Sequence, residues 1–163
     1  MMIKIDASSL IISLKMDFIN ILSQLYNDLI ITEIVYREVI IDGKNSGKQE
    51  AIIGEKLIKE NKISIHKVDE KLMDLKIGLG ETEIIHNSIN LRCPCMMEDK
   101  KAKRIAESFN LDVKRVPISI LEAYQKKLIN NRDFEDYLIK WVKYASPSYE
   151  EIYFVKKIKE LLV

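Results

Sequence analysis

Four acidic residues stand where predicted strands end or predicted helices begin: Asp6, Glu38, Glu81 and Asp99. Asp6 follows the apolar run IKI, and Asp99 follows CPCMM after one intervening residue. Glu81 lies at the helix start in GLGETE, and Glu38 lies one turn inside the helix that follows LIIT. Functional groups of an open α/β sheet gather at the carboxyl ends of its strands. Because Mg²⁺ and Mn²⁺ prefer oxygen ligands, the four together indicate a carboxylate metal site, although each acid alone could be a solvated or capping residue.

Two glycine-containing stretches resemble phosphate-binding loops, but neither has the residues that such a loop requires. GLGETE would need a third glycine where Glu83 stands, and a dinucleotide fingerprint would follow the first strand rather than lie in mid-chain. GKNSGKQ is one residue too short for a Walker loop and has Gln49 where a magnesium-binding hydroxyl is required. We therefore expect a loop between helices at 43–49. We expect Gly80 to be a helix N-cap, with Glu81 favoured by the helix dipole in the first turn.

The apolar pattern alternates between short strands and amphipathic helices, which predicts a three-layer α/β/α fold with a central parallel sheet. Predicted strands cover 3–5, 29–32, 63–68, 93–97 and 113–116. Helices are expected between them: one from Leu10 to Leu25, one capped by Thr32, one opened by Ser46, one from GLGETE to about Asn90, one over 99–110 and one in ISILEAYQKKLI.

The last thirty residues are expected to be helical throughout. Ser148 and Glu151 form a capping box for the final helix. An apolar stripe at helical spacing contains Phe134, Tyr137, Leu138, Trp141, Val142 and Ala145. This stripe either packs back on its own domain or forms a partner surface. We accordingly divide the chain into a domain at 1–130 and a helical extension at 131–163.

Composition leaves many functions open but sets several bounds. The chain has 163 residues, of which 47% are hydrophobic, which is enough for one core. Its 26 basic and 25 acidic residues give no overall attraction to nucleic acid or membrane. No apolar stretch approaches a membrane span, so we expect a cytoplasmic protein. Cys93 and Cys95 are expected to be buried strand thiols, because one CxC and two histidines make no four-ligand zinc site.

The order of four short motifs resembles the PIN domain, in particular the small prokaryotic PIN proteins related to VapC-type toxins. The motifs are DASS (6–9), VYREV, LGETE and MMEDKKAKRIAES, and the resemblance covers residues 2–129. It implies a metal-dependent ribonuclease with a PIN-like fold and an acidic quartet at Asp6, Glu38, Glu81 and Asp99. Asp6 and Asp99 would bind Mg²⁺ or Mn²⁺ directly, whereas Glu38 and Glu81 would act as ligands through water or position the base.

Two details around the first and last motifs leave alternatives open. Many PIN proteins have Thr where Met97 stands, and Glu98 could compete with Asp99 for its role. Successive residues leaving a strand point to opposite sides, so only one of them can face the site, and the motif favours Asp99. Ser8 could support Asp6 or a metal-bound water, or it could be the N-cap of the first helix.

The resemblance also implies partners. RNA would be the substrate, and Lys100, Lys101, Lys103 and Arg104 could hold its backbone or form a solvated helix face. The protein could be the toxin of a toxin–antitoxin pair, bound by an antitoxin protein, and we expect a homodimer. Two alternatives remain: a non-catalytic PIN-like scaffold in RNA processing, and a receiver-like phosphoacceptor. The receiver is disfavoured because Asp6 has no adjacent acid and Lys114 lies within a strand.

Overall fold

The computed structural model describes residues 1–162, which form a parallel sheet covered by helices on both faces. The strands are β1 (Met2–Ile5), β2 (Asp28–Thr32), β3 (Ser64–His66), β4 (Cys95–Met96) and β5 (Val113–Lys114). The helices of the first half are α1 (Ala7–Lys15), α2 (Ile19–Leu25), α3 (Glu33–Tyr36), α4 (Asp42–Asn45) and α5 (Gln49–Lys59), with a π-helical segment at Arg37–Ile41. Those of the second half are α6 (Leu79–Leu91), α7 (Lys100–Ser108), α8 (Val116–Gln125), α9 (Asn131–Ala145) and α10 (Tyr149–Leu161). The predicted three-layer α/β/α fold is confirmed.

The strand order β3-β2-β1-β4-β5 makes β1 the central strand. All neighbouring strands are parallel, and β1 pairs with β4 in the register Ile5 opposite Met96. The chain moves outward from β1 to β2 and β3, then returns to the other side of β1 to form β4 and β5. This reversal places the topological switch point between the carboxyl ends of β1 and β4, where ligands of such sheets bind.

The sheet is buried on both faces, as a parallel sheet covered by helices must be. Ile3 and Ile5 of β1 are fully buried on one face, and Lys4, which points to the other face, is also fully buried. Cys93 and Cys95 are buried free thiols, as expected. The end of β1 therefore lies in the least hydrated part of the molecule, and the residue that follows it is Asp6.

Three expectations about where helices begin or break were wrong, and the loop expected at 43–49 is helical as far as Asn45, because α4 includes it. The helix expected from Leu10 to Leu25 is divided into α1 and α2 by Asp17, whose φ is 56°, a left-handed conformation that Asp adopts more readily than most residues. The helix expected to open at Ser46 begins at Gln49, because Ser46 ends α4 and Gly47 turns the chain with φ 71°. Gly78, rather than Gly80, is the N-cap of α6.

The apolar stripe of α9 packs on its own domain, which is the first of the two alternatives. Phe134, Leu138 and Trp141 are buried in the same core as the sheet. The stripe is therefore not a partner surface, and a dimer would have to use other residues. The capping box of Ser148 and Glu151 at the start of α10 is confirmed.

Within residues 1–162, no helix combines the length and the apolar character that crossing a bilayer requires.

Phe134→Ala is expected to destabilise the isolated chain, because Phe134 is buried and packs on the ring of Tyr124 at 5.3 Å. Truncation of a buried Phe costs about 3–5 kcal/mol. Ile139→Ala on the same helix is a control: Ile139 is 65% exposed, and its truncation should change the free energy of unfolding by roughly 0.5 kcal/mol or less. Urea unfolding measures both, and equal effects would show that α9 is not docked as described.

Candidate active site

Asp6 is the most enclosed acid at the switch point, with only 2% of its surface exposed. It is the N-cap of α1, and its Oδ1 accepts a hydrogen bond from the backbone N–H of Ser9 at 2.7 Å. Burial raises the pKa of Asp6 to about 7, opposed by the hydrogen bond from Ser9 and reinforced by the negative charges of Glu98 and Glu81. A second carboxylate oxygen, Oδ2, is left for another cationic or donor group.

Glu38 and Glu81 lie on two helical segments, and the charge of Glu81 acts on Glu38. Glu38 lies against the first turn of α6, since a Cβ placed on Gly80 would be in ordinary contact with its Oε2 at 3.6 Å. The pKa of Glu38 is raised, first by partial burial and then by the charges of Glu81, Asp42 and Glu83. Glu38 also lies in the π-helical segment, a distortion found frequently at functional sites. The charge of Glu81 therefore acts on both Glu38 and Asp6.

Glu98 faces the same crevice but is already engaged. Its side chain is 10% exposed, and its Oε2 accepts from Nε and Nη2 of Arg115 at 3.2 and 3.1 Å. Its Oε1 accepts from the backbone N–H of Val116 at 2.8 Å. Arg115 in turn donates through Nη1 to Oε1 of Glu151 at 2.6 Å, which links the crevice to α10.

Asp99 turns away from Glu98 to cap α7. Its Oδ1 accepts from the backbone N–H of Ala102 at 2.7 Å, and the residue is exposed. Asp6 and Asp99 thus hold equivalent positions, each the N-cap of the helix after one of two adjacent central strands. Glu98 and Asp99 have different partners, as expected for successive residues after a strand, but it is Glu98, and not the favoured Asp99, whose charge acts on Asp6.

A basic groove lies beside Asp99 and has a volume of about 370 Å³. Lys100, Lys103, Arg104 and Arg115 line it, together with Glu107. Lys101, which was grouped with these cations from the sequence, instead donates to the backbone oxygen of Lys76 at 2.8 Å. Three of the four basic residues proposed from the sequence therefore border one groove.

Comparison with known proteins identifies the family of the chain. The chain matches the DUF3368 family, described as a PIN domain, over residues 2–146. The chain belongs to the PIN-domain family. The match runs past residue 130 and so includes α9. PIN domains are generally nucleases that act on nucleic acids with divalent metal ions.

A solved PIN-type structure has a similar fold. It is a PilT N-terminus domain protein from the hyperthermophilic archaeon Sulfolobus solfataricus P2, 17% identical, with a TM-score of 0.55 over 76% of this chain and 94% of that one. At this identity the likeness concerns the fold alone. No curated protein matches the sequence significantly.

The donor set of this PIN domain fits a hard divalent cation. Within residues 1–162, no group of three or more His, Cys, Asp or Glu side chains is arranged so that it could hold a metal ion. However, Mg²⁺ usually keeps several waters and needs only one or two carboxylates. A buried acid with a raised pKa beside other carboxylates is an electrostatic arrangement that a cation would relieve. Asp6, Glu81 and Glu38 offer oxygen ligands only, which suits Mg²⁺ or Mn²⁺.

Ser8 was expected either to support Asp6 or to cap the first helix. Asp6 itself is the N-cap, so the capping role of Ser8 was wrong. Ser8 is exposed, and within the described chain no hydrogen bond joins it to Asp6. The serine nearest the Asp6 carboxylate is Ser9, through its backbone N–H.

Three charged residues near the PIN site were not predicted from the sequence. Lys4 is fully buried on β1, and its Nζ lies 2.9 Å from Nδ1 of His66. Burial lowers the pKa of Lys4 to about 8, against the opposing charges of Cys93 and Glu83. Glu83 is also buried, and its Oε2 has no partner among the described residues. The third is Arg115. Only Lys4 had a signal in the sequence that could have predicted its burial: it is the charged residue inside the apolar run MIKI.

Asp6→Asn is expected to stabilise the chelator-treated protein, because Asn keeps the N-cap and removes a buried negative charge. The pKa of Asp6 is raised in the folded state, so its contribution to stability is greatest below about pH 4 and is lost as the pH rises through about 7. The advantage of the variant should therefore grow between about pH 5 and about pH 8, by on the order of 2 kcal/mol. Thermal melts at both pH values test this, and an advantage that shrinks with rising pH would contradict it.

Proposed function

We propose that this PIN domain is a metal-dependent ribonuclease that hydrolyses RNA phosphodiester bonds endonucleolytically with Mg²⁺ or Mn²⁺. The observation that carries the proposal is the buried carboxylate of Asp6, with Glu81 and Glu98 close enough to raise its pKa, at the switch point of the sheet. A bound divalent cation would supply an activated water and offset the negative charge of the phosphate.

Asp6, Glu38, Glu81 and Asp99 would hold the cation, with Asp6 and Asp99 as direct ligands. In both Asp residues Oδ1 accepts a helix N–H, and Oδ2 would be the oxygen that binds the cation. Glu81 and Glu38 lie further along the crevice and would act through water, holding it in position or taking up its proton.

Glu98 is proposed to anchor Arg115 rather than bind the cation. Both of its oxygens already accept hydrogen bonds, from Arg115 and from the N–H of Val116. The effect of its charge on Asp6 favours Glu98 as a metal ligand, whereas the hydrogen bonds already made to both of its oxygens disfavour it. The second argument is the stronger, because exchanging a guanidinium for a hydrated cation would leave Arg115 with a single carboxylate partner.

The cellular role proposed is that of a toxin in a toxin–antitoxin pair, acting on RNA and held inactive by an antitoxin protein. The homodimer likewise remains a proposal, with a contact outside the buried α9 stripe. Sedimentation of the purified protein would test the dimer, and growth arrest on expression, absent from Asp6→Asn, would test the toxin role.

Cleavage of a structured RNA is expected to depend on added Mg²⁺ or Mn²⁺ and to stop with a chelator. Asp6→Asn should lower the rate by about 100-fold or more, because it removes the least replaceable ligand. The readout is the rate of appearance of internal cleavage products, together with the stabilisation of the protein by Mg²⁺. A wild-type protein that gains neither cleavage nor thermal stability from either metal would support the alternative, a non-catalytic scaffold in RNA processing.

Asp99→Asn and Glu98→Gln form a matched pair of neighbouring carboxylates. Asp99→Asn keeps the α7 cap and should abolish metal-dependent cleavage, while Glu98→Gln keeps an acceptor for Val116 and should leave cleavage largely intact. Melting temperatures of both variants separate loss of folding from loss of a ligand. The reverse pattern of activity would move the direct ligand by one residue, to Glu98.

A further inference from the structure

A cavity of about 210 Å³ lies between α10 and the β5–α8 region, directly beside the basic groove. Its walls are mostly apolar and include Pro117, Ile118, Val155 and the indole of Trp141. Lys103 and Arg115 line both the cavity and the groove, so the two spaces are continuous at these side chains. α10, which supplies one wall, lies beyond the residues that match the family.

Two aromatic residues give this cavity the character of a base-binding site. Phe154 lines it and is 63% exposed, which leaves a large ring in water beside an apolar space. Trp141 is fully buried, and its indole N–H has no hydrogen-bond partner among residues 1–162. Single-stranded nucleic acids are held by aromatic rings that stack on bases beside a positively charged track for the backbone.

The charges around the cavity favour an anionic ligand. The two carboxylates that border these spaces are paired, Glu151 with Arg115 at 2.6 Å and Glu107 with Lys103 at 2.7 Å. Lys100 and Arg104 line the groove, and in the described part of the chain neither forms a salt bridge. The groove therefore has uncompensated positive charge next to an apolar cavity.

We propose that the cavity binds one unpaired base of single-stranded RNA, stacked on Phe154, while Lys100 and Arg104 hold the adjoining phosphates. The proposal rests on the ribonuclease function and specifies its substrate as RNA with an unpaired base near the cleaved bond. Arg115 places this site next to the acids, because it lines the cavity and also donates to Glu98, whose charge acts on Asp6. A base inside a duplex could not enter, since it would first have to leave its stack.

Binding is tested in chelator, so that cleavage plays no part. The probes are a fluorescein-labelled single-stranded RNA of about ten nucleotides, an abasic oligomer of the same length and a blunt RNA duplex. Fluorescence anisotropy should show tight binding of the single strand and weaker binding of the other two. Trp141 is the only tryptophan of the chain, and unlabelled single-stranded RNA should quench its emission more than the abasic oligomer does.

Phe154→Ala should weaken single-stranded RNA binding by about 5- to 50-fold, with little change in its affinity for the abasic oligomer. Tyr153→Ala is the matched control, since Tyr153 is the neighbouring aromatic on α10, is 64% exposed and does not line the cavity. It should bind within about twofold of the wild type. Arg104→Ala should instead weaken both the RNA and the abasic oligomer and reduce the salt dependence of binding.

Three results of the binding experiments would overturn the inference: Phe154→Ala and Tyr153→Ala binding alike, the abasic oligomer binding as tightly as RNA, or no binding of RNA by the wild type. The last result would leave the cavity to a protein partner. Metal-dependent cleavage that is insensitive to Phe154→Ala would retain the ribonuclease proposal and remove the base site. Binding that depends on Phe154, without any metal-dependent cleavage, would retain the base site and remove the ribonuclease proposal.

Discussion

The arrangement of this PIN domain depends on one costly feature, a carboxylate buried at the end of the central strand. Asp6 cannot move away, because it ends β1 and caps α1 through the N–H of Ser9. Desolvation disfavours its charged form, and the nearby Glu81 and Glu98 disfavour it further. A fold selected for stability alone would place an apolar or neutral residue here. The negative charge of Asp6 is therefore costly, and either a proton near neutral pH or the cation of the proposed function would neutralise it.

Arg115 balances the negative charge of Glu98 and connects the acids to the C-terminal helix. Its guanidinium is shared between Glu98 on the crevice side and Glu151 at the start of α10. The pKa of Glu151 is lowered to about 2, first by its hydrogen bond from Arg115 and then by that from the backbone of Ser148. The placement of α10 and the orientation of Glu98 are consequently coupled through one side chain. A displacement of α10 would release Arg115 toward the crevice and change the charge near Asp6.

The fold could be predicted because its signals are local, and the same local signals selected the candidate acids. Alternating strands and helices fix the layer architecture, and Asp6 follows directly after the apolar run IKI, whereas Asp99 follows CPCMM after Glu98. The burial of Lys4 and Glu83 could not be predicted, because it depends on elements far apart in the chain packing over β1. The same holds for Arg115, which looks like an ordinary surface cation until β5, α8 and α10 are placed together. Helix boundaries near Gly80 were wrong for a different reason, because capping depends on backbone angles that several neighbouring residues can adopt.

The chain as a whole is nearly neutral, but its acidic and basic residues are separated into the acids near Asp6 and the basic groove. Acids lie on one side, along the crevice from Glu38 to Asp6, and uncompensated cations lie on the other, at Lys100 and Arg104. Arg115 stands at the boundary between them. An RNA backbone would be attracted to the basic groove and repelled by the acids unless a divalent cation were present. In the proposed function, binding and cleavage would therefore be separable: the groove would hold RNA without metal, whereas a phosphate would enter the crevice only after a metal had neutralised the carboxylates.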